Sequence, residues 1–277
     1  APGMGLNAFF TFTVVQQMGY RWQVALGAVF ISATLFLLLS LFRIREWIID
    51  SIPLPLRSAI SAGIGLFLAL IALKTAGLVV ASPTTLVTLG RLDSAPALLA
   101  IAGFVLIVAL EARRITGAVM IGILSITAVS ALLGIVSFKG VVSLPPSLAP
   151  TFLQLDIRAA FDFGMVSVIF AFLFVDLFDN TGALIGVAKR AGLMRSDGHL
   201  PNMGRALIAD SNAALAGSLL GTSTTTSYIE SAAGVAAGGR TGLTACVVAA
   251  LFLLALFFAP LAAIVPAFAT APALLFV

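Results

Sequence analysis

The chain contains Phe174-Val-Asp-Leu-Phe-Asp-Asn-Thr-Gly182 and Gly221-Thr-Ser-Thr-Thr-Thr-Ser-Tyr-Ile-Glu-Ser231, two polar stretches set in apolar sequence. Ionisable side chains at membrane depth are costly and usually face a cavity or a partner group. Asp176, Asp179 and Glu230 are therefore the first candidates for a functional site. Whether they lie at membrane depth depends on the sequence around them.

The composition indicates a polytopic membrane protein. Of the 277 residues, 61% are hydrophobic and 9% are charged, whereas soluble domains carry about 25% charged residues. The basic residues lie mostly in short loops, where they set membrane orientation rather than bind nucleic acid. The single cysteine, Cys246, lies in an apolar run, and no metal-ligand spacing is present. We expect a multi-pass protein of the plasma (inner) membrane, with lipid as a partner, no nucleic acid, no metal and no cofactor.

Several uncharged runs are long enough to cross about 30 Å of hydrocarbon. The clearest covers residues 22–42. In the uncharged run 241–277, Pro260 is expected to close one helix and Pro266 to lie in the start of another, since proline cannot donate to the helical ladder. The remaining predicted spans are 58–81, 96–110, 115–138, 161–188 and the shorter 206–220.

Two helices are predicted to be broken at membrane depth. The first break is placed around Gly5-Leu6-Asn7, with extended chain before it and a Phe-rich helix after it. The alternative is that these residues only form the loop that leads into a helix. The second break is Thr222-Ser-Thr-Thr-Thr-Ser227, because β-branched threonines favour extended backbone. Irregular backbone is tolerated in a membrane only where protein or a cavity covers it.

Successive spans cross the membrane in alternating directions, and the favoured orientation places most Lys and Arg residues on the cytoplasmic side. In this orientation the two broken helices are expected to run in opposite directions. Paired breaks of this kind indicate an inverted-repeat transporter whose site lies where the breaks meet. The predicted fold is therefore an all-α polytopic membrane protein with two half-helices, each preceded by a short extended segment.

Asp176, Asp179 and Asn180 are spaced so that they share one face of a helix. Two carboxyl groups on one stripe suit a proton-coupled binding site. The alternative is a buried pair, neutralised by hydrogen bonds, that only holds helices together. Asp210, in the shorter span, either supports the site or binds a backbone amide.

Glu230 has two compatible interpretations. Ser227-Tyr-Ile-Glu230 has the spacing of a capping box, in which both side chains bind the first free amides of a helix. A helix start at the midplane beside an extended hydroxyl-rich strand also offers free backbone groups to a ligand.

A planar, neutral, hydrogen-bonding ligand would suit these residues. Carboxylates accept ring N–H groups, and aromatic side chains such as Phe9 and Tyr228 can stack on a flat ring. An inorganic anion fits poorly, because no Lys or Arg falls in the predicted site. No nucleophile and base pair is present at a suitable spacing, so we expect no enzymatic activity.

Three stretches resemble the nucleobase-ascorbate transporter (xanthine/uracil permease) family, and most closely its adenine/guanine/hypoxanthine permease (AzgA-like) branch. They are Ala1-Pro-Gly-Met-Gly-Leu-Asn-Ala-Phe-Phe10, the stretch 174–187 and the long motif 221–244. The similarity covers essentially the whole chain.

The resemblance implies a fragment of a fold of fourteen spans, arranged as seven plus seven inverted repeats with a core and a gate domain. It implies proton-coupled symport of purine nucleobases, and a homodimer is one assembly that it allows. The alternatives are a uracil or xanthine permease of the same fold, and an anion carrier or channel of related architecture. The implied division is 1–42 core, 43–57 interfacial helix, 58–138 gate spans, 139–159 external loop, 160–260 core spans with the substrate site, and 261–277 the start of a further gate span.

Carried over by position, the resemblance places Asn7 in the site of the third span and has Asp176 and Glu230 hold the purine. Asp rather than Asn at position 176 favours hypoxanthine and guanine over adenine. The complete predicted site has substrate-binding residues Asp176, Glu230, Asn7, Tyr228, Phe9 and Ser227, with Asp179, Asn180 and Asp210 for proton coupling or support.

Overall fold

A computed structural model of the chain describes residues 3–42, 44, 54–137, 140–194, 200–228, 231–236 and 238–276. The described chain is mostly helical and divides into two units, Ala1–Ser61 with Ser147–Ala245 and Ala62–Pro146 with Cys246–Val277. The helices in chain order are α1 (Met4–Ala8), α2 (Trp22–Leu41), α3 (Leu54–Thr75), α4 (Ala95–Ala112), α5 (Ala118–Leu132), α6 (Ile157–Ala160), α7 (Phe163–Arg190), α8 (Met203–Leu220), α9 (Ser231–Ala236), α10 (Gly242–Ala255), α11 (Ala259–Ala263) and α12 (Ala267–Phe276).

The first unit is organised around α2. This helix packs against α6, α7 and α8, while α1 contacts α7 and α9 packs on α7. Small residues allow the close approach, since a Cβ at Gly27 of α2 would clash with the carbonyl oxygen of Asp156 just before α6. The core beside α2 consists of buried side chains from α1, the segment after it, α2 and α7, among them Leu6, Val14, Ala25, Val29, Met165 and Phe172.

In the second unit, α4, α5 and α12 pack against one another. Glycines lie at these contacts, because a Cβ at Gly122 would clash with Ile107 and one at Gly103 would crowd Ile126. The same unit contains an antiparallel hairpin of β1 (Val79–Ser82) and β2 (Leu86–Leu89). The described secondary structure is therefore mostly helical, as predicted, and this short hairpin is an addition that the sequence did not predict.

Four helices in the described residues are long and apolar enough to cross a membrane: Trp22–Leu41, Ala95–Ala112, Phe163–Arg190 and the run Gly242–Ala263. Large apolar side chains are widely exposed on them, such as Phe252 at 63% and Leu253 at 66%. Such a surface suits lipid rather than water. The spans predicted at 22–42, 96–110 and 161–188 each coincide with one of these helices.

Two predicted spans end earlier in the structure. The helix of the span predicted at 58–81 ends at Thr75, because Gly77 adopts a left-handed conformation (φ 74°). The β-branched residues after Gly77 then form β1. The span predicted at 115–138 ends at Leu132, shortly before Gly134, which is also left-handed (φ 70°). Glycine in this conformation commonly ends a helix.

The first predicted break is also misplaced. Gly5, Leu6 and Asn7 lie within α1, and Gly3, the described residue before it, is extended (φ −61°, ψ 123°). A π-helical stretch, Phe9–Gln17, continues α1 directly. Neither the break nor the alternative of a leading loop therefore falls at residues 5–7.

Pro260 does not close a helix as predicted. It stands in the first turn of α11, after a short 3₁₀ turn at Leu256–Phe258, and the helical run continues to Ala263. Proline removes one backbone hydrogen bond and crowds the carbonyl four residues earlier, here that of Leu256. The helix therefore changes to a 3₁₀ turn at Leu256–Phe258 and then continues. Pro266 directly precedes α12, and its carbonyl accepts a bond from Ala269 N at 2.9 Å.

The predicted interfacial helix at 43–57 lies largely outside the described residues, and residues 54–57 form the first turn of α3. Of the loop predicted at 139–159, residues 140–156 are non-helical, whereas residues 157–159 belong to α6. Its last part is fixed to the first unit, where Leu153 N donates to Leu219 O and Asp156 N donates to Gln23 O, both at 2.9 Å. Asp156 then caps α6 by accepting from Ala159 N at 3.0 Å.

Candidate functional site

The inner face of α7 carries buried polar side chains. Asp176 is 2% exposed and Asn180 is fully buried, one helical turn further along. Asp179 is half-buried beside them. Buried polar groups of this kind must be satisfied by other protein groups or by a ligand.

Asp210 links α7 to the chain beyond α8. It is 8% exposed, and its Oδ2 accepts a hydrogen bond from Asn180 Nδ2. Its other oxygen, Oδ1, accepts from the hydroxyl of Ser227 at 3.3 Å. One carboxylate therefore joins two helices and the irregular chain ahead of α9, while its role in supporting the site stays a prediction.

The non-helical chain Thr222–Ser227, here called the hydroxyl segment, follows Gly221, whose left-handed conformation (φ 93°) ends α8. Ser223, Thr224 and Thr226 of this segment are buried. The segment lies against α8, since a Cβ at Gly217 would overlap the hydroxyl of Thr225.

The hydroxyl segment meets the start of α1. The backbone N–H of Gly3 donates to the carbonyl of Thr224 at 2.9 Å. The hydroxyl of Ser223 donates to Oδ1 of Asn7 at 3.1 Å. The hydroxyl segment and the start of α1, far apart in sequence, are thus joined by one backbone bond and one side-chain bond.

Two aromatic rings pack between the π-helical stretch after α1 and α7. Phe9 packs edge-to-face on Phe172, with ring centroids 5.3 Å apart and planes inclined by 77°. Such edge-to-face pairs are favoured by the ring quadrupoles. Asn7, two residues before Phe9, is exposed. The structure therefore places Asn7 on α1, in contact with the hydroxyl segment, and Phe9 at the start of the π-helical stretch that continues α1, in contact with α7.

The remaining predicted residues are placed less fully. Tyr228 is half-buried at the end of the irregular chain. Glu230 lies outside the described residues, so its predicted capping box with Ser227 stays a prediction. The helix expected after it is present as α9, which packs on α7.

Sequence reasoning did not identify Ser223 and Thr224 individually. Ser223 binds Asn7, and Thr224 accepts from Gly3, but each is one of several consecutive hydroxyl residues. Nothing in the local pattern distinguishes them, because both partners come from the distant N-terminal stretch. Within the described chain, the hydroxyl of Thr224 and Oδ1 of Asn180 are buried without a hydrogen-bond partner.

The described side chains at this site are carboxyls, amides, hydroxyls and aromatic rings. Over the described ranges, no group of three or more His, Cys, Asp or Glu residues is arranged to hold a metal ion. The arrangement offers hydrogen-bond acceptors and donors together with apolar ring surface.

Apolar helices long enough to span a bilayer, together with a buried polar cluster beside irregular backbone, define a multi-pass membrane protein. The chain belongs to the Xan_ur_permease family, described as the Permease family, whose model matches residues 1–277. This match confirms the family resemblance seen in the sequence.

Several relatives match the whole chain. It is 50% identical over 277 residues to the adenine permease AdeP of Escherichia coli, covering 62% of that protein. It is 52% identical over 278 residues to the putative permease MJ0326 of Methanocaldococcus jannaschii, covering 64%. It is 49% identical over 280 residues to the guanine/hypoxanthine permease PbuG of Bacillus subtilis, covering 63%. The chain thus spans less than two thirds of these relatives, all of which are named as permeases and not as enzymes.

The fold is also similar to a solved structure, the transmembrane domain of a cyanobacterium bicarbonate transporter, BicA. The TM-score is 0.74, with 97% of this chain and 70% of that chain covered. The sequence identity is 18%, so the similarity concerns the fold alone. The count of fourteen spans and the inverted repeat stay predictions.

Proposed function

We propose that the protein is a secondary active transporter that takes up purine nucleobases together with protons. The observation that carries this proposal is the buried cluster of Asp176, Asn180 and Asp210 beside the hydroxyl segment. Support also comes from relatives at 49–50% identity that are named adenine permease and guanine/hypoxanthine permease.

The chemistry of the cluster suits a purine. A nucleobase is flat and neutral and carries both N–H donors and nitrogen or oxygen acceptors along its edge. Asp176, with Glu230, would accept ring N–H groups, while Asn7 and Ser227 would contact the remaining edge. Phe9 and Tyr228 would supply ring surface for stacking.

Proton coupling follows from the carboxyl groups. A charged carboxylate is disfavoured at membrane depth unless it is paired, so a proton and a purine N–H offer alternative ways to satisfy Asp176. Asp179 is half-buried next to it and would serve as a supporting or proton-accepting group. Asn180 and Asp210 would hold the two helices in place.

A transport cycle of this kind needs parts that move. We assign the first unit, which contains this cluster, as the core domain and the second as the gate domain of a fold with fourteen spans and inverted repeats. In this division residues 246–260 belong with the gate, whereas the sequence alone had placed them in the core. A homodimer stays a prediction.

Two alternatives from the sequence remain to be compared with this proposal. A uracil or xanthine permease would use the same kind of cluster for a different ring. An anion carrier or channel would need compensating positive charge, and the described side chains of the cluster are acidic or neutral. An anion is therefore disfavoured on electrostatic grounds.

Uptake of labelled hypoxanthine by the full-length protein, expressed in cells that lack their own purine carriers, tests the proposal. We expect excess guanine or adenine to inhibit uptake, uracil and sulfate to have little effect, and a protonophore to abolish accumulation. Exposed Asp93, in a surface pair with Arg91, provides a control, since Asp93→Ala should leave uptake unchanged. Inhibition by uracil or sulfate but by no purine would reject the substrate, and uptake that follows sodium after the pH gradient is collapsed would reject the coupling.

A further inference from the structure

The bond between Ser223 and Asn7 has a direction. The Ser223 hydroxyl donates to Oδ1 of Asn7 at 3.1 Å, across 216 positions of sequence. Ser223 is 4% exposed, whereas Asn7 is exposed. The oxygen of the Asn7 amide therefore points at the hydroxyl segment, and its Nδ2 is directed elsewhere.

The buried hydroxyl of Ser223 favours this orientation of the Asn7 amide. An asparagine amide has nearly the same shape in either orientation, but one side accepts hydrogen bonds and the other donates them. If the amide were reversed, the Ser223 hydroxyl hydrogen would have no acceptor in a buried place, because within the described chain its partner is Asn7. Burying an unsatisfied donor is unfavourable, while the exposed Nδ2 can bind water or a ligand.

We infer that Ser223 is a positioning residue that holds the Asn7 amide with its N–H donors facing the ligand. This inference rests on the proposed function and adds to it the chemistry of one ligand edge. The purine atom opposite Asn7 must be a hydrogen-bond acceptor, either a ring nitrogen without hydrogen or a carbonyl oxygen. An N–H or exocyclic amino group at that position would be excluded.

Analogues of hypoxanthine that each lack one acceptor identify that atom in the full-length protein: deaza compounds without one ring nitrogen, and the 6-thio compound, in which weakly accepting sulfur replaces the carbonyl oxygen. Each analogue competes with labelled hypoxanthine for uptake, and its inhibition constant is compared with that of hypoxanthine itself. Loss of one neutral hydrogen bond should weaken one analogue by about 5-fold to 10-fold. In Asn7→Ala, the same analogue should bind no worse than hypoxanthine.

Ser223 is tested by two substitutions. In Ser223→Ala the amide is free to reverse, so we expect the penalty for that analogue to fall below about twofold. Ser223→Thr keeps the hydroxyl and should restore the full penalty. Ser40→Ala is the matched control, because Ser40 is equally buried but its hydroxyl donates to its own helix at Phe36 O, 2.8 Å away.

The outcomes separate this inference from the proposed function. Absence of purine uptake by the unmodified protein would overturn the proposed function and, with it, the inference. Uptake that discriminates among analogues in Ser223→Ala as strongly as in the unmodified protein would overturn the inference alone. The ratio between analogues is insensitive to the amount of folded protein, so reduced expression of a variant does not obscure either result.

Discussion

At the scale of single residues, Asp210 connects separate parts of the described site. Its two oxygens accept from Asn180 on α7 and from Ser227 in the hydroxyl segment. Hydrogen bonds to a charged group are stronger than neutral ones, and removing the acceptor leaves two donors behind. Asp210 therefore matters for how α7 and the hydroxyl segment are held together.

Replacing Asp210 by Ala should lower both stability and purine affinity. The change leaves the Asn180 and Ser227 donors unsatisfied, and each such loss costs about 1–3 kcal/mol. The apparent melting temperature of the purified full-length protein in detergent, with and without hypoxanthine, measures the effect. Asn212→Ala is the control on the same helix, since Asn212 is exposed and, among the described residues, donates to Ile208 O one turn earlier. Equal melting temperatures for the two variants would contradict a linking role for Asp210.

At the scale of elements, the site depends on how closely α8 approaches the hydroxyl segment. Gly217 on α8 contacts Thr225, and a Cβ added at Gly217 would overlap the Thr225 hydroxyl. The same Cβ would lie 3.0 Å from Cγ2 of Thr222. Small residues of this kind let backbone segments approach in membrane proteins. The packing of one glycine thus sets where the hydroxyl segment runs.

Gly217→Ala should push the hydroxyl segment away from α8. Overpacking of a well-packed contact typically costs about 1–3 kcal/mol, and purine affinity should fall with stability. Gly182→Ala is the matched control, because a Cβ at that position on α7 has nothing within 4 Å. The double variant Gly217→Ala with Thr225→Ala should recover part of the melting temperature. Failure of the second substitution to restore any stability would show that the clash with Thr225 is not the cause.

Helices were predicted correctly where neighbouring residues in the sequence determine them. The long apolar run of α2 is uninterrupted, and its length alone identifies this span. The hairpin β1–β2 was missed because its apolar residues extend the run of α3, and hydropathy does not distinguish a strand from the last turns of a span. The break at residues 5–7 was misplaced because the extended chain at Gly3 is fixed by the carbonyl of Thr224, a partner that local sequence cannot reveal.

At the scale of the whole molecule, the family and the membrane class were predicted from motifs and composition, and the family match confirms them. The acidic and amide residues of α7 were predicted from helical spacing, and two of them, Asp176 and Asn180, are buried. The bonds that join α1, α8 and the hydroxyl segment were not predicted. They depend on the way distant parts of the chain meet, and such contacts are a property of the tertiary fold.

The central claim is that a buried acidic cluster in a lipid-spanning protein binds a purine. Equilibrium binding of labelled hypoxanthine to the purified full-length protein, compared with Asp176→Ala and the control Asp93→Ala, measures this most directly. We predict saturable binding that is displaced by guanine, unchanged in Asp93→Ala and at least about 10-fold weaker in Asp176→Ala, as expected for loss of a hydrogen bond to a charged group. Equal hypoxanthine affinity in Asp176→Ala and the unmodified protein would contradict the account.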